Sequence, residues 1–141
     1  MSAITVVGSE ELIKAAAIPS KKTKEITWRG RPITIKEQIS VQEYLGLIQH
    51  ILRDCIRDEN IAYEIVDFVT RVNIIGSYCF IDLPKDAQKL YDIVYGTDLY
   101  SEVTSHIKEW QLKNILNAVY AYTGIHGGED DGRCRRPDEN A

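Results

Sequence analysis

No stretch of this chain approaches the roughly 18–20 uninterrupted apolar residues that a membrane-spanning helix needs. The opening MSAITVVGSEELIK has no basic region ahead of its apolar run, so no signal peptide is expected. Positive charge is scarce: 17 Lys and Arg against 21 Asp and Glu leave a formal net charge of −4 and a pI near 5.4. That balance disfavours a dedicated DNA- or RNA-binding domain, which carries a basic stripe, and leaves protein partners open. The three cysteines, Cys55, Cys79 and Cys134, are odd in number and lack CxxC spacing. Free thiols in a reducing, cytoplasmic setting are the economical expectation.

Catalytic patterns are missing as well. His50, His106 and His126 lie in three different segments, none at metal-ligand spacing to another His, Cys or Glu, so no zinc motif is present. GIHGGEDDG has glycines but no preceding strand, no following helix and no Lys-Ser/Thr, which excludes a phosphate-cradling loop. There is no G-x-S-x-G elbow. Carboxylates such as Asp54/Asp58 and Glu129/Asp130/Asp131 read as solvated helix and tail charges. No catalytic residue, cofactor or metal ligand is assigned, and a non-enzymatic protein is expected. No internal repeat is visible.

What remains is ordinary globular material: 141 residues, 44% hydrophobic and 27% charged, enough for one domain with a core. Residues 1–23 read as an arm with a short helix, with Ser9 as N-cap, Glu10 and Glu11 in the first turn and Pro19 as a stop. Ser20 to Lys24 reads as a polar linker. Ile26 and Trp28 flank Thr27, and Ile33 and Ile35 flank Thr34; this period of two around Gly30 predicts a β-hairpin. Two strands alone are marginal and need a helix to pack on. Ser40-Val41-Gln42-Glu43 fits a capping box, and Leu45, Ile48, Ile51, Leu52, Cys55 and Ile56 form the apolar stripe of a helix of about sixteen residues. From Asp58 a second, most buried helix is expected, with Ile61, Ile65, Phe68, Val69, Val72 and Ile75 inward and Gly76 as its stop. Pro84 opens a third, with Ala87, Leu90, Tyr91 and Val94 inward and Gly96 after its end. Thr97 to Gly124 is one bent helix or two abutting ones: Leu99, Val103, His106 or Ile107 and Trp110 form one stripe, and Leu112, Ile115, Leu116, Val119 and Tyr122 another. Residues 125–141 read as a disordered tail. The fold class is mainly α: a small bundle of four to five helices over residues 24–124, led by a hairpin.

Two groups of residues stand out as contact candidates. Residues 21–36 carry six basic groups against one acid, Glu25. Trp28, Arg29 and Arg31 within them fit either a base-stacking grip or, better, a turn that meets an acidic protein partner. Eight tyrosines crowd mainly into the C-terminal half, and Tyr95, Tyr100 and Tyr122 are the candidates for exposed contact rings.

From Lys24 to Gly124 the order of phrases resembles the tail assembly chaperones of long-tailed, siphovirus-type phages and related prophages. The matching phrases are EITWRGRPITIKE, SVQEYLGLIQHIL, YEIVDFVTRVNIIGSY and LYDIVYGTDLYSEVTSHI. The N-terminal arm and the arginine-bearing tail have no counterpart in that pattern. The resemblance implies a helical, non-enzymatic protein of the host cytoplasm that coats the tape-measure protein, keeps its helices soluble and helps recruit tail-tube subunits. It also directs attention to GGEDDGRCRRPDENA as the region where a longer, frameshifted form would diverge. The alternatives are a structural connector that stays in the virion and a small regulatory module using the 21–36 patch on nucleic acid. Self-association is left open.

Overall fold

Arg29 (φ 50) and Gly30 (φ 78) both stand at positive φ, which makes Trp28–Arg31 a two-residue type I′ turn whose twist matches that of the flanking strands. The turn joins β1 (Thr23–Trp28) and β2 (Arg31–Lys36) in an antiparallel register that pairs Trp28 with Arg31, Ile26 with Ile33 and Lys24 with Ile35. Pro32 falls opposite Thr27, a non-hydrogen-bonded pair, so its missing N–H costs the ladder nothing. Ile33 and Ile35 are buried and Ile26 and Trp28 half-buried, as the period of two requires. Beyond β2 the sheet is extended by a short extended segment: Ile35 bridges Cys79, and the Phe80 N–H donates to the Thr34 carbonyl at 3.0 Å.

The computed structural model describes residues 4–16 and 23–124. Pro19, residues 20–22 of the expected linker and the whole 125–141 tail lie outside the described residues. Thr23 and Lys24, expected in the linker, belong to β1. In the arm, α1 (Ser9–Ala16) is helical without burying a residue. Its first carbonyl is that of Gly8, which accepts from the Leu12 N–H, so Ser9 is the first helical residue and not the cap.

The capping box is present in full at α2 (Val41–Cys55): the Ser40 hydroxyl accepts from the Glu43 N–H, and the Glu43 carboxylate accepts from the Ser40 N–H. Its buried face is Leu47, Ile48, Ile51 and Cys55, while Leu45 and Ile56 are exposed. The helix expected from Asp58 does not start there. Residues 56–61 form a second small hairpin, β3 (Ile56–Arg57) with β4 (Asn60–Ile61), turning through Asp58 and Glu59 at φ 52 and 67. A 3₁₀ turn (Tyr63–Ile65) then leads into α3 (Val66–Tyr78), which runs through Gly76. Gly76 is exposed on that helix and does not stop it; an α-helix tolerates glycine at modest cost. α4 (Ala87–Gly96) begins after Asp86, whose carboxylate accepts from the Lys89 N–H, so the cap is the aspartate two residues beyond Pro84. Val94 is its buried residue, whereas Ala87 and Tyr91 are exposed.

The last helical stretch is two helices, α5 (Leu99–Thr104) and α6 (Glu109–Thr123). Between them the chain tightens, with N–H groups of His106 and Ile107 bonding three residues back, and the Lys108 N–H leaves the helix for the Glu37 carbonyl at 2.9 Å. Gly124, at φ 76, closes α6 in the left-handed conformation. Leu99, Val103, Ile107, Ile115 and Val119 point inward as expected; Trp110 and Tyr122 do not.

α3 lies in the middle, against α2 on one side and α4 and α5 on the other, and α6 packs on α2. Val66, Ile74, Ile75 and Tyr78 of α3 are fully buried with Ile35, Ile51, Val103, Ile115 and Val119 around them. Full burial of each such side chain contributes about 1.5–3 kcal/mol. One polar side chain sits inside this core. Gln111 of α6 accepts at Oε1 from the Ile39 N–H (2.9 Å) and the Tyr78 hydroxyl (2.6 Å), and donates from Nε2 to the Ile39 carbonyl (3.0 Å). It thereby fastens the β2–α2 connection to α3 and α6. Among the described residues the architecture is thus mainly α, five helices in the main fold plus the arm helix, with the expected hairpin at its head.

Candidate functional site

The hairpin turn places Trp28, Arg29 and Arg31 together. Trp28 is held rather than offered: its indole N–H donates to Asp98 Oδ1 at 2.8 Å, and the Arg29 guanidinium lies 5.0 Å from its ring centroid. Trp28 thereby ties the hairpin to the head of α5 while its ring packs against the core. Asp98 stands at the N-cap position of α5 but makes no side-chain capping bond, and its carboxylate accepts from the tryptophan. Arg31 is exposed at the end of the strand pair.

The tyrosines divide. Tyr95 lies in a continuous array across α3, α4 and α5. Phe68 stacks on Tyr95 with centroids 5.9 Å apart, and Tyr91 meets both rings, at 5.9 Å from Phe68 and 5.1 Å from Tyr95. Arg71 lies against both Tyr95 (5.1 Å) and Tyr100 (4.6 Å), its Nε donating to Asp67 Oδ2 at 3.0 Å. The Tyr95 hydroxyl donates to that same oxygen at 2.5 Å. Burial, and then the bond to Asp67, pushes the Tyr95 phenol up; burial pushes Tyr100 up to about 12 against the opposing pull of Arg71. Tyr100 is half-buried and joins the array through Arg71, whereas Tyr95 and Tyr91, and Tyr63 outside the array, are exposed. Tyr122, 69% exposed, is a single ring on α6 with no ring partner among the described residues.

The array thus joins two of the three tyrosines expected to matter and adds Phe68, Asp67, Arg71 and Tyr91. Two spacings could have flagged them: Asp67 and Arg71 form an i,i+4 ion pair on one helix, and Tyr91 and Tyr95 an i,i+4 ring pair on the next. Which faces meet is tertiary information.

Nothing among the described residues groups three or more His, Cys, Asp or Glu for a metal ion. His50 Nδ1 accepts from Arg53 at 2.6 Å on the outer face of α2. Cys55 and Cys79 are buried free thiols, and burial pushes both up, Cys79 to about 11. No helix among the described residues is long and apolar enough to cross a membrane. Neither protein-family models, nor curated proteins, nor solved structures give a match to this chain.

Proposed function

We propose that this chain is a tail assembly chaperone of a long-tailed phage or prophage, a protein that works by binding and carries out no catalytic step. Its partners on this reading are the tape-measure protein and the tail-tube protein, met in the host cytoplasm. The observation that carries the binding role is the Phe68–Tyr91–Tyr95–Arg71–Tyr100 array: three rings in mutual contact, a guanidinium against Tyr95 and Tyr100, and Tyr91 and Tyr95 exposed on α4. Tyrosine and arginine in such pre-ordered arrangements dominate protein interfaces, because little side-chain entropy is left to lose on contact. The tail-assembly identity itself is supported by the helix phrases of residues 24–124. Trp28 favours this reading over the nucleic-acid alternative, since its N–H and one ring face are already engaged.

Co-expression with a tape-measure protein taken from the same genome, followed by pull-down, tests the proposal. A complex is expected, and Tyr91→Ala with Tyr95→Ala should weaken it about tenfold or more. A folded chain that forms no complex overturns the reading. Mass spectrometry of purified particles separates chaperone from connector: a chaperone is missing from the finished virion.

A further inference from the structure

The sheet at the head of the molecule has one edge filled and one open. On the β2 side, the Thr34 carbonyl points away from β1 and is taken by the Phe80 N–H. The alternation that turns Thr34 outward there turns its partner Glu25, and with it Thr23 and Thr27 two residues to either side, outward on the other edge. No backbone or side-chain group among the described residues meets the outward N–H and C=O groups of these three. β1 is exposed along most of its length. An open edge of this kind is a template for another strand.

The charge around that edge selects what fits. Lys24 and Arg31 lie on the Trp28 face of the hairpin and Arg29 in its turn, all three exposed. None of them is in an ion pair among the described residues, while Lys36 is bound to Glu43 at 2.8 Å. Glu25 is the one acid of the strand pair, in a chain whose overall charge is −4. The edge is thus a local positive site on a negative molecule, which attracts acidic segments and repels basic ones.

We propose that β1 receives an extended acidic segment of a partner protein by strand addition. Main-chain bonds to Glu25 and Thr27 supply the affinity, and alternate acidic side chains of the segment meet Lys24 at one end and Arg29 and Arg31 at the other. The inference stands apart from the tail-assembly reading, because it names the chemistry of a segment and not a particular protein.

The test uses the full chain and a labelled, end-blocked peptide, Thr-Asp-Thr-Val-Thr-Asp, read by fluorescence anisotropy. Binding should weaken about tenfold when lysine replaces both aspartates, and about tenfold with Glu25→Pro. Position 25 faces away from β2, so proline there spares the hairpin ladder, as Pro32 does on the opposite strand, and it also removes a repelling charge. N-methylation of the peptide at one alternating set of residues should abolish binding and at the other set spare it, which keeps the test valid if Glu25→Pro misfolds. No binding, binding indifferent to N-methylation, or equal binding of the lysine peptide each overturns the proposal. So does a dimer of the chain alone that Glu25→Pro dissolves, which would make a second copy the occupant. Retention of labelled single-stranded RNA in place of the peptide, lost on Arg29→Ala with Arg31→Ala, overturns it in favour of nucleic acid.

Discussion

Glu59 sits at φ 67 with Asp58 at φ 52, so a β3–β4 turn of the type that favours Asn-Gly or Asp-Gly is made from Asp-Glu. A side chain in the left-handed region costs about 1–2 kcal/mol, and Glu59 is exposed. Glu59→Gly creates an Asp-Gly turn, and after the extra entropy of an unfolded glycine it should raise stability by about 0.5–1 kcal/mol in urea denaturation. A loss of stability would show that the glutamate holds the turn by something other than its backbone. The same comparison explains what could be read at single residues. Gly30 announces its turn, because a glycine between two alternating runs is the ordinary signal. Asp58-Glu59 announces nothing, because its turn is imposed from outside: the Ala62 N–H reaches the Cys55 carbonyl at 2.7 Å and Ile56 pairs with Ile61. Read as sequence, that stretch continues the apolar helical spacing, and a helix start was expected in its place.

Elements were legible where they carry their own punctuation. The Ser40–Glu43 box and Gly124 are local chemistry, and the helix boundaries they mark are those observed. Facing was less legible. α2 offers apolar residues on nearly two stripes, and α3 is apolar most of the way round, so spacing alone could not tell Leu45 from Leu47 or single out Val66 and Ile74. The candidate site suffered likewise: Tyr95 was visible, but Asp67 and Arg71 acquire their role only because α3 and α4 lie side by side. The α2 cap also gives a pH-dependent prediction. The hydrogen bond from Lys36 at 2.8 Å, first, and that from the Ser40 N–H hold Glu43 down at about 2 from its usual 4.5. A carboxyl lowered on folding contributes stability above its unfolded pKa and loses it as pH falls through the folded one. Glu43→Gln keeps the capping reach and removes the charge. At pH 7 it should cost at most about 1 kcal/mol, since solvent screens a pair that is about a third exposed. The gap between wild type and variant should close as pH falls from 4.5 to about 2. A gap that persists below pH 2 would mean the charge is irrelevant to it.

At the scale of the whole molecule the hairpin, α3 and α6 come from distant parts of the chain and are joined through one side chain. Gln111 lies 72 residues from Ile39 and 33 from Tyr78, yet bonds both at once inside the core. No spacing in the sequence marks it, because glutamine on an amphipathic helix reads as a surface residue until its partners are known. Its amide is matched at both ends, and no buried side-chain polar atom among the described residues lacks a partner. Removing it is therefore worse than losing a contact: Gln111→Leu leaves the Ile39 N–H and C=O and the Tyr78 hydroxyl buried and unpaired, at about 1–3 kcal/mol each before relaxation. The expected loss is about 3–5 kcal/mol, a large part of the 5–15 kcal/mol that holds a domain of this size. Tyr78→Phe alone removes one donor and should cost about 1–2 kcal/mol. The two changes should not add. In the Gln111→Leu background the tyrosine hydroxyl is an orphan, so Tyr78→Phe there should be neutral or recover about 1 kcal/mol. Urea midpoints of the four proteins, with unchanged slopes, measure this coupling. Additive losses would mean that the amide and the hydroxyl stabilise the core independently, and that the joint between the hairpin connection, α3 and α6 is made by apolar packing alone.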